Sequence, residues 1–267
     1  MAAGDGREQL TGADRVLDTL KKLAGHSSGV SLEGLARELG APKSSTHRAL
    51  AALRRAGFAE QDDRGRYRLG SELVRIAFDY HEHRDEVDLV RPVLQTLSDW
   101  LSETAHYAQL EGAEVVYLAK IQPTDQAITM SSSVGGRNPA HATGVGKAML
   151  AHVLADDEAV REFVARHGPL EKRTRNTIVS ARALAADLRL GRERGYALDR
   201  QESELGVNCI AFPLFLGSGQ RPSGAVSVSA VAMRTDVARL EAVAERMRSA
   251  IEQALGPVTR PAVEQSA

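Results

Sequence analysis

Apolar positions recur at three- and four-residue steps in the N-terminal part of the chain and predict three amphipathic helices. The first helix carries Val16, Leu17 and Leu20 on one face. The second begins after Ser31, whose side chain can cap it, and ends at Gly40. The third is expected over Lys43–Arg55, because a proline just before it is tolerated at a helix start. Its predicted inner face holds Thr46, Ala49, Leu50 and Leu53.

Two short strands are expected after the third helix. Phe58–Glu60 and Arg66–Leu69 flank a turn at Asp62–Gly65. Helix, turn, helix and hairpin in this order predict a winged helix-turn-helix domain over residues 10–70. A small helical domain with an ordinary hairpin is the structural alternative.

The next segment, residues 71–91, keeps a helical pattern without glycine or proline and predicts a rigid connector helix. Its apolar stripe includes Leu73, Ile76 and Tyr80, which suggests contact with a second copy of the chain. His81 and His83 are not expected to bind a metal ion, because a spacing of two places them on different helix faces.

Strands and helices are interspersed in residues 92–256, which predicts an α+β domain with a mixed sheet flanked by helices. The expected strands are His106–Leu110, Val115–Lys120, Ile128–Met130, Tyr196–Asp199, Cys209–Phe215 and Ala225–Val231. The expected helices include Val93–Leu101, Gly144–Leu154, Asp157–Ala165, Ala181–Arg194 and Asp236–Leu255. Residues 1–9 and 257–267 are expected to be disordered.

Composition excludes several protein classes. The chain has 267 residues, of which 43% are apolar, so it can form packed cores in two domains. A single cysteine, Cys209, excludes a disulfide framework and a Cys-rich zinc module. No apolar run is long enough to cross a membrane, and the N-terminal residues lack the apolar core of a signal peptide. These features predict a soluble cytoplasmic protein.

The near-neutral charge balance, 34 Lys+Arg against 35 Asp+Glu, hides a local excess of cations. No acidic residue lies between Lys43 and Phe58, within the third predicted helix. A helix in a DNA major groove needs short donors for the bases and cations for the phosphates. The predicted DNA-binding residues are Lys43, Ser44, Ser45, His47, Arg48, Arg54 and Arg55 on the helix, with Arg64 and Arg66 on the wing.

Catalytic interpretations of the second half are weak. The run from Gly144 to Lys147 resembles a phosphate-binding loop, but His141 replaces its first glycine and Ala148 replaces its magnesium-binding hydroxyl. Cys209 with His141 could form a thiol nucleophile, yet the cysteine lies in an apolar strand. No catalytic residue, metal site or cofactor is predicted.

A ligand pocket is a better interpretation. Gly144 and Val145 open a predicted helix, where free backbone amides favour an anion. Ser227 and Ser229 point to one face of a strand, and Cys209 lies on the partner strand. These groups predict a small polar cavity for a carboxylate-bearing metabolite. A glycine-rich turn with ordinary strand serines remains the alternative.

Four stretches, in order, resemble the IclR-type transcriptional regulators over about residues 13–255. They are SLEGLARELGAPKSSTHRALAALRRAGFAEQDDRGRYRLG, GGRNPAHATGVGKAMLA, RERGYALDRQESELGVNCIAFPLF and GAVSVSA. The resemblance implies a GAF-like effector domain after the DNA-binding domain. It implies effector contacts at Gly144, Val145, Asp199, Cys209, Ser227 and Ser229.

The resemblance also implies a function. Members of this family bind operator DNA at inverted repeats, as homodimers or homotetramers, and respond to small organic acids. A repressor is favoured over an activator, and the few aromatic residues near the pocket positions favour an aliphatic acid. The alternative from another class is a small-molecule enzyme with a helical appendage.

Overall fold

The computed structural model describes residues 12–82, 85–123, 131–216 and 221–256. The chain divides by its internal contacts into two compact units, residues 1–84 and 85–267. The predicted strand Ile128–Met130 and the predicted disordered ends lie outside the described residues. His83 and the side chain of His81 do as well.

The described part of the first unit begins with three helices and a hairpin, as predicted. The helices are α1 (Gly12–Leu23), α2 (Leu32–Glu38) and α3 (Lys43–Arg55), and the strands are β1 (Ala59–Gln61) and β2 (Tyr67–Leu69). Ser31 caps α2 by accepting a hydrogen bond from the Gly34 amide. The small core consists of Leu23, Leu35, Leu50, Leu53, Ala59 and Tyr67. The predicted winged helix-turn-helix fold is therefore confirmed.

The predicted connector and domain boundary differ from the structure. Helix α4 (Glu72–Glu82) is followed by α5 (Asp85–Leu101), which runs through the predicted boundary between residues 91 and 92. Pro92 lies inside α5, although proline removes a backbone donor. The helix continues because Val90, Val93, Leu94 and Leu97 are buried along one side of it.

A six-stranded sheet forms the centre of the second unit. Its strands are β3 (Thr104–Glu111), β4 (Glu114–Ile121), β5 (Arg137–Pro139), β6 (Ala197–Arg200), β7 (Val207–Leu214) and β8 (Gly224–Val231), in the spatial order β5-β4-β3-β8-β7-β6. All neighbouring pairs in this sheet are antiparallel, whereas a mixture of directions was expected. Hairpins join β3 to β4 and β7 to β8, and such connections require antiparallel neighbours.

Helices cover both faces of this sheet. Helix α5 packs on one face with α9 (Val237–Ala242) and α10 (Ala244–Leu255). The other face packs against α6 (Gly144–Val153), α7 (Asp157–His167) and α8 (Ala181–Arg194). The α+β class is confirmed, but the predicted helix Asp236–Leu255 is two helices that meet at Val243. The described residues contain no helix long and apolar enough to span a membrane.

Candidate functional site

Helix α3 presents a basic face to solvent. Thr46, Ala49, Leu50 and Leu53 are buried, as the periodicity predicts. The exposed residues are Lys43, Ser44, His47, Arg48, Arg54 and Arg55. No carboxylate of α3 interrupts this face, so it can approach the phosphates of DNA without repulsion.

Ser45 does not fit the predicted set of DNA-binding donors. Its side chain is buried, with 7% exposure, and its hydroxyl donates to the carbonyl oxygen of Pro42 at 2.8 Å. Thr46 donates to the same carbonyl at 3.2 Å. Helix α3 has no side-chain cap, and the hydroxyl groups of Ser45 and Thr46 donate back to the residue before the helix. Ser45 therefore braces the start of the helix.

The cations differ in how they are held. Lys43 forms an ion pair with Glu33, and Arg54 donates to the amide oxygen of Gln61 at 2.7 Å. In the wing, Arg66 pairs with Asp62 at 3.0 Å. The side chains of Arg48, Arg55 and Arg64 have no such partner in the part of the chain that the structure describes, so their guanidinium groups are available to a ligand.

The second unit brings all six residues of the predicted pocket to one cavity. Asp199, Cys209 and Ser229 lie opposite one another on β6, β7 and β8. Ser227 lies two residues before Ser229 and therefore points to the same face. Together with Gly144 and Val145 they line a cavity of about 60 Å³.

The start of α6 supplies hydrogen-bond donors to this cavity. Thr143 caps the helix by accepting from the Gly146 amide at 3.1 Å, and the Lys147 amide donates to the Thr143 carbonyl. Within the described residues, the amides of Gly144 and Val145 donate no hydrogen bond. These two donors lie at the positive end of the helix and suit a carboxylate.

The two glycines of α6 have a packing role that the sequence did not predict. A Cβ atom on Gly144 would lie 2.9 Å from the Cys209 sulfur atom. One on Gly146 would lie 2.2 Å from the Ala140 carbonyl oxygen. The two glycines therefore let α6 approach β7 and the preceding turn, and of the two only Gly144 lines the cavity.

Burial changes the acid–base behaviour of the pocket groups. Asp199 is 4% exposed, and burial raises its pKa to about 7 although Lys147 opposes the shift. Its Oδ1 atom accepts from the Glu202 amide at 2.6 Å. Burial also raises the pKa of the Cys209 thiol to about 12, so the sulfur stays protonated and is a poor nucleophile.

Lys147 and His141, which were considered as parts of a catalytic site, form contacts with other residues of the protein. Lys147 is fully buried, and its ammonium group pairs with Glu202 at 2.6 Å and Asp187 at 2.9 Å. The Nε2 atom of His141 donates to the Glu171 carbonyl at 3.0 Å. The lysine is therefore not free for a phosphate, and the described residues contain no group of three or more potential metal ligands.

Several cavity residues were not predicted from the sequence. They are His106, Tyr117, Ser131, Ser132, Asn138, Thr143, Arg173, Ser203, Glu204 and Val207. Burial lowers the pKa of His106 to about 3 and raises that of Tyr117 to about 12, so both side chains are uncharged. The aromatic residues Tyr196, Phe212 and Phe215, which are near the pocket positions in the sequence, do not line the cavity.

A sequence signal existed for some of these residues. His106 and Tyr117 lie in paired strands that the sequence did predict. Tyr117 is opposite Ala108, two residues from His106, so their common face follows from the hairpin register. Arg173 and Ser203 come from loops, whose approach to the cavity depends on tertiary contacts such as the bond from Thr174 to the Gln201 carbonyl at 2.7 Å.

Both units match models of one protein family. The model of the IclR helix-turn-helix domain matches residues 12–63. The model described as bacterial transcriptional regulator IclR C-terminal matches residues 78–254. Together these matches cover the basic helix and the cavity.

Relatives and solved structures agree with these matches. The transcriptional regulator BhcR of Paracoccus denitrificans is 34% identical over 256 residues, which cover 94% of this chain and 90% of that protein. The transcriptional repressor IclR of Escherichia coli is 33% identical over 224 residues, with 83% and 80% covered. The crystal structure of the Thermotoga maritima IclR has a TM-score of 0.72 and 26% identity, with 91% and 98% covered.

The fold recurs in a protein with a bound acid. An IclR homologue from Microbacterium hydrocarbonoxydans, crystallised with 4-hydroxybenzoate, has a TM-score of 0.74 and 23% identity, with 92% and 99% covered. At this identity the likeness concerns the fold. The relatives named above are regulators and not enzymes, and the chain belongs to the IclR family of transcriptional regulators, with a DNA-binding helix-turn-helix domain and a C-terminal effector domain.

Proposed function

We propose that this protein is a repressor that binds an inverted-repeat operator as a dimer or tetramer and responds to a small organic acid. The observation that carries the proposal is the cavity in which two free helix amides meet the side chains of Ser227, Ser229 and Cys209. An anion fits these donors, and no acidic side chain of α6 opposes it.

The DNA contacts are proposed on α3 and the wing. Ser44, His47 and Arg48 near the start of α3 reach base edges, and Arg55 reaches phosphates. Arg64, at the turn of the wing, contacts the backbone of the duplex. Lys43, Arg54 and Arg66 exchange an internal partner for a phosphate when DNA binds. Ser45 is not included, because its hydroxyl is buried.

A second copy of the chain is proposed to complete the reading of the operator. Two α3 helices read two half-sites about one helical turn apart, roughly 34 Å. The exposed apolar side chains of α4 support an interface, since Val74 is 56% exposed and Ile76 is 41% exposed. An interface between two copies would remove these apolar side chains from water.

The acid is proposed to be short. A cavity of about 60 Å³ is smaller than the roughly 150 Å³ of an engineered cavity that binds benzene. The related Microbacterium protein was crystallised with 4-hydroxybenzoate, which is an organic acid. This pocket is proposed to select a smaller organic acid. The size of the change in operator affinity is limited by the difference between the affinities of the acid for the DNA-competent and DNA-incompetent states.

An electrophoretic mobility shift tests the DNA side. The fragment upstream of the protein's own gene is titrated with protein at several salt concentrations, followed by footprinting and measurement of the mass of the complex. We expect salt-sensitive binding, two protected half-sites and an even number of chains. No binding to this fragment, or a single chain on one half-site, would contradict the proposal.

A further inference from the structure

His106 carries a polar atom that the proposed function does not use. Its side chain lines the cavity and is 2% exposed. The Nε2 atom lies 2.8 Å from the Ser132 hydroxyl. The Nδ1 atom is buried and has no hydrogen-bond partner among the described residues. A buried polar atom without a partner is costly, and a ligand in the cavity that His106 lines can supply that partner.

His106 lies next to the groups proposed to bind the anion. In the strand register it lies opposite Ser227, which belongs to the serine pair of the pocket. Its ring is also 5.3 Å from the ring of Tyr117, between centroids, so the imidazole is packed and oriented. A ligand held by the amides of α6 and these serines therefore has His106 beside it, on the neighbouring strand.

The charges around the cavity limit what this second contact can hold. The ring of His106 is neutral, because burial and the nearby Lys120 oppose its protonation. Asp199 and Glu204 line the same cavity and disfavour a second carboxylate. Arg173 is the cation among the described lining residues, and it is paired with Glu171 at 3.5 Å. A second ligand group at this place is therefore uncharged.

We propose, on the basis of the proposed function, that His106 determines specificity by binding a hydroxyl group of the acid through Nδ1. A hydroxyl group both donates and accepts, so it satisfies Nδ1 in either tautomer of the ring. The pocket then selects a short hydroxy acid over the matching unsubstituted acid, which leaves Nδ1 without a partner, and over a dicarboxylate.

Calorimetric titration of the full chain tests this inference with matched acids: glycolate against acetate, lactate against propionate, and malonate as the dicarboxylate. The hydroxy acid of each pair is expected to bind about tenfold more tightly, the effect of one hydrogen bond to a buried group. Malonate is expected to bind more weakly than lactate. This comparison uses the unaltered protein, so it does not depend on the folding of any variant.

Two substitutions at His106 test the roles of its two ring nitrogens separately. His106→Gln keeps a polar atom near Nε2, toward Ser132, and removes the one at Nδ1, so the hydroxyl preference should disappear. His106→Asn keeps a polar atom near Nδ1, so the preference should remain. Thr104→Val is the matched control: it removes an unpartnered buried hydroxyl on the same strand that does not line the cavity, and it should leave the preference unchanged. Thermal unfolding verifies that each variant is folded.

The outcomes distinguish this inference from the proposed function. If the acids bind but hydroxy and unsubstituted acids bind equally, or if the preference persists in His106→Gln, the role of His106 is wrong and the acid-binding proposal stands. If none of these acids binds the unaltered protein, the proposal of a short acid effector fails as well. A preference that is lost in His106→Gln and kept in His106→Asn supports the inference.

Discussion

Asp199 is a pocket residue whose ionisation folding alters strongly. Its pKa is about 7 in the folded protein against an ordinary value of 3.8, because the carboxyl group is buried. The folded state therefore holds the proton more tightly than the unfolded state between these two values. The protonated carboxyl group contributes its full stability below about pH 4. As the pH rises to about 7 this contribution is lost, and the free energy of unfolding falls by on the order of 1 kcal/mol per pH unit.

The substitution Asp199→Asn tests this linkage. Asparagine does not ionise, and its oxygen can still accept from the Glu202 amide, which is 2.6 Å from Asp199 Oδ1. We expect the variant to gain stability relative to the unaltered protein as the pH rises from 5 to 7, with no further gain above that. Urea unfolding at pH 5, 6, 7 and 8 measures the difference. A difference that is the same at pH 5 and pH 8 would show that Asp199 does not titrate in this range.

Ser229 tests the proposed contact with the acid. Its hydroxyl lies in the cavity, on the strand position opposite Cys209. Ser229→Ala should weaken binding of the acid by about tenfold or less, since one hydrogen bond of ~1–1.5 kcal/mol is lost. Calorimetry gives the affinity, and Ser98→Ala, which removes a buried hydroxyl outside the cavity, is the control. Unchanged affinity in Ser229→Ala would remove this contact from the account.

At the residue scale, the alternation of side chains along strands was enough to predict part of the pocket. Cys209, Ser227 and Ser229 share a face because side chains alternate along strands, and the structure places them in one cavity. Ser45 was included among the short donors for DNA, although its position on the helix is buried. Arg173 could not be predicted, because a loop residue reaches a cavity through tertiary contacts.

Helix α3 is the element on which the proposed DNA recognition depends. Arg48 is exposed in the first half of α3, where the base contacts are proposed, and Arg64 lies at the turn of the wing. Arg48→Ala should cost about 1–3 kcal/mol of operator affinity and reduce the preference over random DNA, whereas Arg64→Ala should weaken both similarly.

Fluorescence anisotropy at several salt concentrations measures both effects of these arginine substitutions. Arg182→Ala, which removes an exposed charge from α8, is the control and should change neither affinity. If Arg48→Ala and Arg64→Ala both leave operator affinity intact, α3 is not the recognition helix.

Helix α6 depends on a close approach that only glycine allows. A Cβ atom at Gly146 would lie 2.2 Å from the Ala140 carbonyl oxygen, so Gly146→Ala should destabilise the second unit by about 1–3 kcal/mol. Gly191, within α8, is the matched control, because its nearest neighbour would be 3.6 Å away. Gly191→Ala should be neutral or stabilising, since alanine favours helices. Urea unfolding compares the two, and equal effects would contradict this role for Gly146.

At the element scale, the predictions succeeded where the chain carries local signals. The bounds of α3 and α8 follow from Pro42, Ser180 and Gly195, which start or end the helices. The break at Val243 has no glycine or proline, and its amide donates to the Leu240 carbonyl at 3.3 Å. Strand β5 has three residues that include a proline, so its pairing with β4 was not evident from periodicity.

The whole molecule combines a DNA-binding unit and an effector unit, and its neutral total charge conceals this division. Residues 1–70 carry 12 Lys+Arg and 9 Asp+Glu, and the cations of the acid-free stretch are exposed on α3. The order of the two units could be predicted, but the boundary could not, because α5 continues through Pro92. Burial of its apolar face outweighs the local cost of proline.

The central claim is that an acid in the C-terminal cavity controls DNA binding. The direct measurement is fluorescence anisotropy of the operator complex while an acid that binds by calorimetry is titrated in, for the unaltered protein and for Ser229→Ala. We predict that the acid changes operator affinity and that Ser229→Ala requires up to about tenfold more acid for the same change. An acid that occupies the cavity and leaves operator affinity unchanged would contradict the account.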